Sequence, residues 1–412
     1  MIDQNGIFKI AVRKFDAFES ATKKIWEKFC LLTGCNLKLE MVVMDLPELH
    51  GTTLKNSGLR NGSFDIAHIN TDWIYEGYLS HAFEELNGYI QANPPSDFPE
   101  GWSDSLLGLQ QFDGKIMGLP FHDGPECLIY RKDLFEDIVE QEKFLQAYGY
   151  TLQPPKTWAA FQQIARFFNR PEENLYGSVF ACYPDGHNAV FDFCLQLWSR
   201  SGTLINEMGQ IDLNTPAASA GLTFYRELIK DKTAVHPNSL QYDSVGAGMA
   251  FARGEAAMMI NWFGFAAMCD VDQDIKVNGQ VGVDLIPAME GHTSASLNVY
   301  WLYTIGSGSK HKQVAYDFIK FAISEENDKR LTLEGGIGCR ISTWMDKEVN
   351  SIVPYYHKLE QFHQHAKTLP QSGHWSAIAA VIDKMVWGAL TSTVPAAEIL
   401  RDAQDQINSI QK

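Results

Sequence analysis

Residues 251–262 read FARGEAAMMINW, and three rules of chain conformation parse the stretch. Up to Arg253 it has helical character, Gly254 tolerates the positive φ that halts a helix, and residues 256–260 form an apolar run too short to be one. The reading is helix, tight turn, buried strand, with Asn261 and Trp262 delivered to the strand's end. Strand ends line the ligand crevice of an open α/β sheet. Trp262 is therefore both a core candidate and a candidate platform for a ligand with flat apolar faces, such as a sugar ring.

The same alternation runs through the first 120 residues. A β run at 8–12 precedes a helix at 18–32 that places Ala21, Ile25, Trp26, Phe29 and Leu32 on one face, and Gly34 closes that helix. Strands follow at 37–44 and 64–69, separated by a further unit at 46–59 and the turn Asn61-Gly62-Ser63. This βαβαβ order predicts a mainly parallel sheet covered by helices. The third strand runs into Asn70-Thr71-Asp72-Trp73, the position where such sheets bind ligands, although Asp72 would equally cap the helix that follows.

Further along, a strand at 116–121 is broken by His122-Asp123-Gly124-Pro125 before CLIY resumes at 127–130. Two strands so close together read as a crossover from one lobe to another, the second lobe starting near residue 122. Thr157 and Thr215 are placed to cap helices, the latter with Pro216 in the first turn. A helix is expected at 189–201 and strands at 281–286 and 298–305; the last, NVYWLYTI, is dense in β-branched and aromatic residues. The tail at 375–410 reads as largely helical.

Bulk properties bound the function. A chain of 412 residues, 45% hydrophobic and 20% charged, is long for one core, so two domains are expected. The net charge of −16 opposes nucleic acid and anionic membrane as partners and favours a neutral or cationic small ligand. Seven cysteines cannot all pair and none forms a CxxC, while Cys30 and Cys35 are close enough to bridge across a helix end. No apolar stretch approaches the ~20 residues of a membrane span. The opening MIDQNG suits either a secreted chain whose signal was removed or a cytosolic one.

The usual catalytic arrangements are missing: no HExxH, GxSxG, GxGxxG after a strand or GxxxxGK[ST]. His122-Asp123 as a base pair and His363 with His365 as metal ligands are weaker readings than a loop hydrogen bond and a solvated surface. Asp72 and Asp123 are the one carboxyl pair that a glycoside-acting enzyme would use. No catalytic residue, metal site or cofactor is expected.

A set of ordered features carries a resemblance. They are Phe64-Asp65-Ile66 with Asp72-Trp73, Asp113-Gly114-Lys115 through Leu119-Pro120 to Tyr130, Pro155-Lys156-Thr157-Trp158 with Phe161, and FARGEAAMMINW. Ala315-Tyr316-Asp317-Phe318-Ile319 with Ser324-Glu325-Glu326, and Gly335-Gly336 with Arg340, complete the set. Together they span nearly the whole chain, which resembles the extracellular solute-binding proteins of family one, the maltose-binding-protein-like sugar receptors of bacterial ABC importers.

The resemblance implies a two-lobed periplasmic-binding-protein fold of type II, each lobe a mostly parallel sheet flanked by helices, with several hinge crossovers. Residues 1–120 and 271–320 would build lobe one, and 121–270 and 321–412 lobe two. It also implies capture of a mono- or oligosaccharide in an interlobe cleft and delivery to the transmembrane subunits of an ABC permease. The alternatives are a polyol, a glycerol-phosphate derivative or another small solute. The expected contacts are Asp72, Trp73, His122, Asp123, Trp262, Asn298, Tyr300, Arg340 and Trp375. The protein would be a monomer in the periplasm or outside the cell, with a lipid anchor before removal of the signal segment left open.

Overall fold

The computed structural model describes residues 6–411. Its first strands are β1 (Ile7–Arg13), β2 (Lys38–Met44), β3 (Ile66–Asn70), β4 (Gln111–Phe112), β5 (Lys115–Ile116), β6 (Leu119–His122) and β7 (Glu126–Arg131). They are followed by β8 (Tyr176–Val179), β9 (Ala256–Trp262), β10 (Val281–Asp284), β11 (Ser296–Leu297), β12 (Trp301–Ile305) and β13 (Ala366–Lys367). The chain divides into two compact units. Of the described residues, the first comprises 6–124, 299–360 and 371–373; the second comprises 125–298, 361–370 and 374–411.

The first unit is built on a sheet of order β2-β1-β3-β12-β6. β1, β2 and β3 run parallel, and β12 is antiparallel to both β3 and β6. The helix Asp16–Thr33 buries Ala17, Phe18, Ala21, Ile25, Trp26 and Phe29, the spacing of one helical face. Trp26 stacks on Phe8 of β1 at 4.7 Å and meets Phe318 edge-on at 5.1 Å. The stripe ends one residue earlier than the sequence suggests. Leu32 is 64% exposed, because the last turn carries it past the packed surface.

The second unit has the order β10-β7-β9-β8, with β8 parallel to β9 and β7 antiparallel to its neighbours β9 and β10. The FARGEAAMMINW reading holds here. A helix ends at Ala252, Gly254 takes φ 74°, and β9 then runs buried through the centre of the sheet to Trp262. The helix Asn188–Trp198 is buried on every side, so its predominantly apolar character is that of a core helix. Gly177 of β8 lies against the helix Trp158–Phe167; a Cβ there would stand 1.7 Å from the Ala165 carbonyl oxygen.

Each sheet is thus mostly parallel with one reversed strand. The reversed strands, β7 and β12, are the first strands laid down after the chain passes at 124/125 and 298/299. The observed division differs from the expected one most at two stretches, with smaller shifts at 121–124 and 371–373, which lie in the first unit. Residues 271–298 belong to the second unit, because β10 pairs with β7. Residues 321–360 belong to the first, where Glu334 accepts hydrogen bonds from Ser20 Oγ at 2.9 Å and Lys24 Nζ at 2.5 Å. The strand expected at 298–305 begins only at Trp301, since residues 298 and 299 are where the chain changes unit.

Candidate functional site

In the first unit, the parallel strands point their carboxyl ends to one rim. Cross-strand pairing sets Asn70 of β3, Trp301 of β12 and His122 of β6 side by side along it. Asp72 and Trp73 follow directly from β3, and Asp123 from β6. Asn70 Oδ1 accepts from the Asp72 amide at 3.3 Å, which holds the loop after β3. His122 Nδ1 accepts from the Ile337 amide at 2.9 Å, and the Asp123 amide donates to the Ile337 carbonyl at 2.9 Å. The 335–338 glycine cluster therefore acts as a clip on the end of β6 rather than as a phosphate loop.

Burial separates these residues. Trp73 is buried, stacked on the His50 ring at 4.8 Å and met edge-on by Trp301 at 6.0 Å. Trp301 is half-buried, so it, and not Trp73, is the aromatic that this rim shows to solvent. The strand was legible in sequence, but Trp301 was not singled out; its two-residue offset from Tyr303, whose ring is buried, left the exposed end of the row unmarked. Behind the rim, burial holds His122 down to about 4 and His68 down to about 3, so both imidazoles are neutral near pH 7.

Two expected contacts of this unit are engaged elsewhere. Tyr300 is fully buried; its hydroxyl donates to Gln110 Oε1 at 2.6 Å and accepts from the Leu109 amide at 3.2 Å. Arg340 is 1% exposed, and its guanidinium donates to the Ser96 and Ile323 carbonyls and to Asp97 Oδ2 while lying 4.4 Å from the Trp102 ring centre. A buried cation whose two terminal nitrogens are bonded in this way braces the unit, although its Nε has no hydrogen-bond partner.

The second unit gathers a separate rim around the end of β9. Trp262 pairs in register with Glu126, the first residue of β7, and its ring remains half-buried. Its indole N–H donates to Asn188 Oδ1 at 3.2 Å, and Phe191 meets it edge-on at 5.8 Å. Asp185 Oδ1 accepts from the amides of His187 and Asn188 at 2.9 and 3.3 Å, fixing the entry to the buried helix. Within that helix, Asp192 Oδ2 accepts from the Tyr225 hydroxyl at 2.5 Å.

Four carboxyls, Glu126, Asp185, Asp192 and Asp383, belong to this region. Burial raises all four. Asp192 reaches about 7 and Asp383 about 6; Glu126 is pushed further by the neighbouring Asp192. Among the described residues none of the four forms an ion pair with Lys or Arg, and Glu126 Oε2 has no hydrogen-bond partner. A carboxyl raised in this way donates a hydrogen bond when protonated and accepts when ionised. The sequence reading missed all four. Asp192 carries the detectable signal, the one charged residue of a mostly apolar helix, NAVFDFCLQLW. Asn298 and Trp375 also lie in this unit, both buried, and the Trp375 indole N–H has no partner. Neither His363 with His365 nor any other described group of three or more His, Cys, Asp or Glu is arranged to hold a metal ion.

Comparison with known proteins bears on this arrangement. Residues 55–329 match the model of the bacterial extracellular solute-binding protein family. The chain is similar to a probable ABC transporter-binding protein of Deinococcus radiodurans, 23% identical with 94% of this chain and 90% of the relative covered. In structure it resembles an ABC transporter solute-binding protein from Agrobacterium radiobacter in complex with ribitol, with TM-score 0.86, 22% identity, and 99% of each chain covered. It also resembles maltose-bound T. maritima MalE3, with TM-score 0.85, 21% identity, and 98% of this chain and 100% of that one covered. Among the described residues no helix is long and apolar enough to cross a membrane. The chain belongs to the bacterial extracellular solute-binding proteins, a binding protein of the cell exterior rather than an enzyme.

Proposed function

We propose that the chain captures a neutral polyhydroxylated solute, a sugar or sugar alcohol, and delivers it to the membrane subunits of an ABC importer. The observation that carries this reading is the half-buried Trp262 ring, paired in register with Glu126 and bonded to Asn188, in a unit whose buried carboxyls Glu126, Asp185, Asp192 and Asp383 have no Lys or Arg partner among the described residues. Carboxyls match the hydroxyl edge of a sugar, and an indole face matches its C–H face. Each hydroxyl buried without a partner costs about 1–3 kcal/mol, so a guest with many hydroxyls needs such a density of polar groups.

Ligand classes among the relatives fit as well, since one similar structure holds a sugar alcohol and another a disaccharide. A glycerol-phosphate derivative fits less well: the acidic rim opposes an anion, and Arg340 is committed to its brace.

The test is a thermal-shift screen of sugars, sugar alcohols, phosphodiesters and amines, with native mass spectrometry of the protein as purified. A ligand at 100 times its Kd stabilises by about 2.7 kcal/mol, readily seen as a raised midpoint. We expect a neutral sugar or sugar alcohol to give that shift and Trp262→Ala to abolish it. A shift given only by a phosphodiester, or one fully retained in the variant, would overturn the reading.

A further inference from the structure

We propose that Cys30 and Cys35 form a reversible disulfide across the carboxyl end of the helix Asp16–Thr33. Gly34 closes the helix in the left-handed conformation, φ 70°, and its amide donates to the Cys30 carbonyl at 2.9 Å. A left-handed cap turns the chain back over the final turn, and the residue after it commonly contacts the one whose carbonyl is bonded. Here those two residues are both cysteines, and Cys35 is among the groups that shift the Cys30 thiol.

Accessibility distinguishes this pair from the other thiols. Cys127, Cys182, Cys194, Cys269 and Cys339 are buried, whereas Cys30 and Cys35 are both partly exposed. Cys35 also lines a cavity of about 640 Å³ with Phe29, Leu37, Val314 and Phe321, through which a reagent reaches its sulfur. The cavity lies within the first unit, at the start of β2, and so at the opposite end of the parallel strands from the Asn70–Trp301–His122 rim. A protein of the cell exterior meets an oxidising environment, where paired accessible thiols convert to disulfides.

The chemistry balances with a low-molecular-weight disulfide as oxidant. Burial, with Cys35 beside it, pushes the Cys30 thiol up to about 12, and Cys35, which lines the cavity where Cys30 does not, meets the oxidant first. Its thiolate attacks one sulfur of the oxidant and releases one small thiol. Cys30, losing its proton, then attacks the Cys35 sulfur of the mixed disulfide and releases the second. Two protein thiols become one disulfide while the oxidant is reduced to two thiols. The product fixes the cap and one wall of the cavity.

Incubation of the folded chain with oxidised glutathione, followed by denaturation, alkylation and peptide mapping, tests the assignment. The reduced protein should alkylate at all seven cysteines and the oxidised one at five, with Cys30 and Cys35 recovered in one disulfide-linked peptide set. Dithiothreitol should restore seven. Cys30→Ser should instead stop at a glutathione adduct on Cys35. Seven alkylated cysteines after oxidation, a bridge between any other pair, or a stable glutathione adduct on Cys35 of the unsubstituted chain would overturn the proposal. Unchanged far-UV circular dichroism and thermal midpoint of the reduced variant control for folding.

Discussion

His68 shows what a single buried side chain imposes on the molecule. Its ring is fully buried among Phe18, Phe121 and Tyr303, and neither ring nitrogen has a hydrogen-bond partner. Desolvation, aided by His122, depresses its folded pKa from 6.5 to about 3. The unfolded chain therefore takes up a proton near pH 6.5 that the folded chain refuses until about pH 3. The neutral ring's contribution is complete above pH 6.5 and is lost as the pH falls through that window. His68→Phe keeps the volume and the aromatic contacts and deletes the titration. Between pH 7.5 and 5 the variant should lose roughly 2 kcal/mol less stability than the unsubstituted protein, read by urea unfolding at the two values. Equal losses would show that the ring is reachable by protons in the native state. At this scale legibility follows locality. Trp262 was readable because the glycine turn and apolar run that place it are adjacent in sequence. Asp185 and Asn188 were not, because YPDGHNA reads as an ordinary turn and only the fold brings it to Trp262.

Secondary elements are legible where their signals are local and opaque where they are not. Thr157 was identified as a helix start, and its Oγ1 accepts from the Ala160 amide at 3.2 Å; Thr215 does the same for Ala218 at 3.1 Å. Thr157→Ala should cost about 1 kcal/mol, since the Ala160 amide loses its acceptor, whereas Thr157→Ser should retain most of the stability. Chemical denaturation of the two variants decides this, and equal losses would assign the cost to the lost methyl group instead. Gly177 illustrates the opposite case. Nothing in its neighbourhood of sequence announces that the backbone of the helix Trp158–Phe167 presses on it, yet no Cβ fits there. Likewise β10 looked like part of the first lobe until its pairing with β7 assigned it to the second. Non-local pairing decided the unit boundaries, and the periodicity of individual segments carries no record of it.

At the scale of the whole molecule the charge of −16 was the first clue to the ligand, and it supplies a test independent of any one side chain. Long-range attraction or repulsion between a protein field and a charged ligand is screened within about 10 Å at 0.1 M salt and about 3 Å at 1 M. A neutral sugar or sugar alcohol feels no net force from that field, so its Kd, measured calorimetrically, should stay within a factor of two as salt rises from ~0.05 to ~0.5 M. A cationic solute drawn in by the carboxyls would bind progressively more weakly over the same range. An anionic one would bind more tightly, as its repulsion is screened. The carboxyls around Trp262 sharpen the distinction, because Asp192 and Asp383 are raised to about 7 and 6 and the rim gains protons as the pH falls through that range. A cationic guest would then lose affinity on acidification to pH 5.5 as well as in salt. A neutral one keeps its hydrogen bonds in either state, since a protonated carboxyl donates where an ionised one accepts. A salt-independent Kd at pH 7.5 that survives at pH 5.5 is the outcome expected of a receptor for a neutral hydroxylated solute. A Kd that rises under both conditions would move the assignment to a cation.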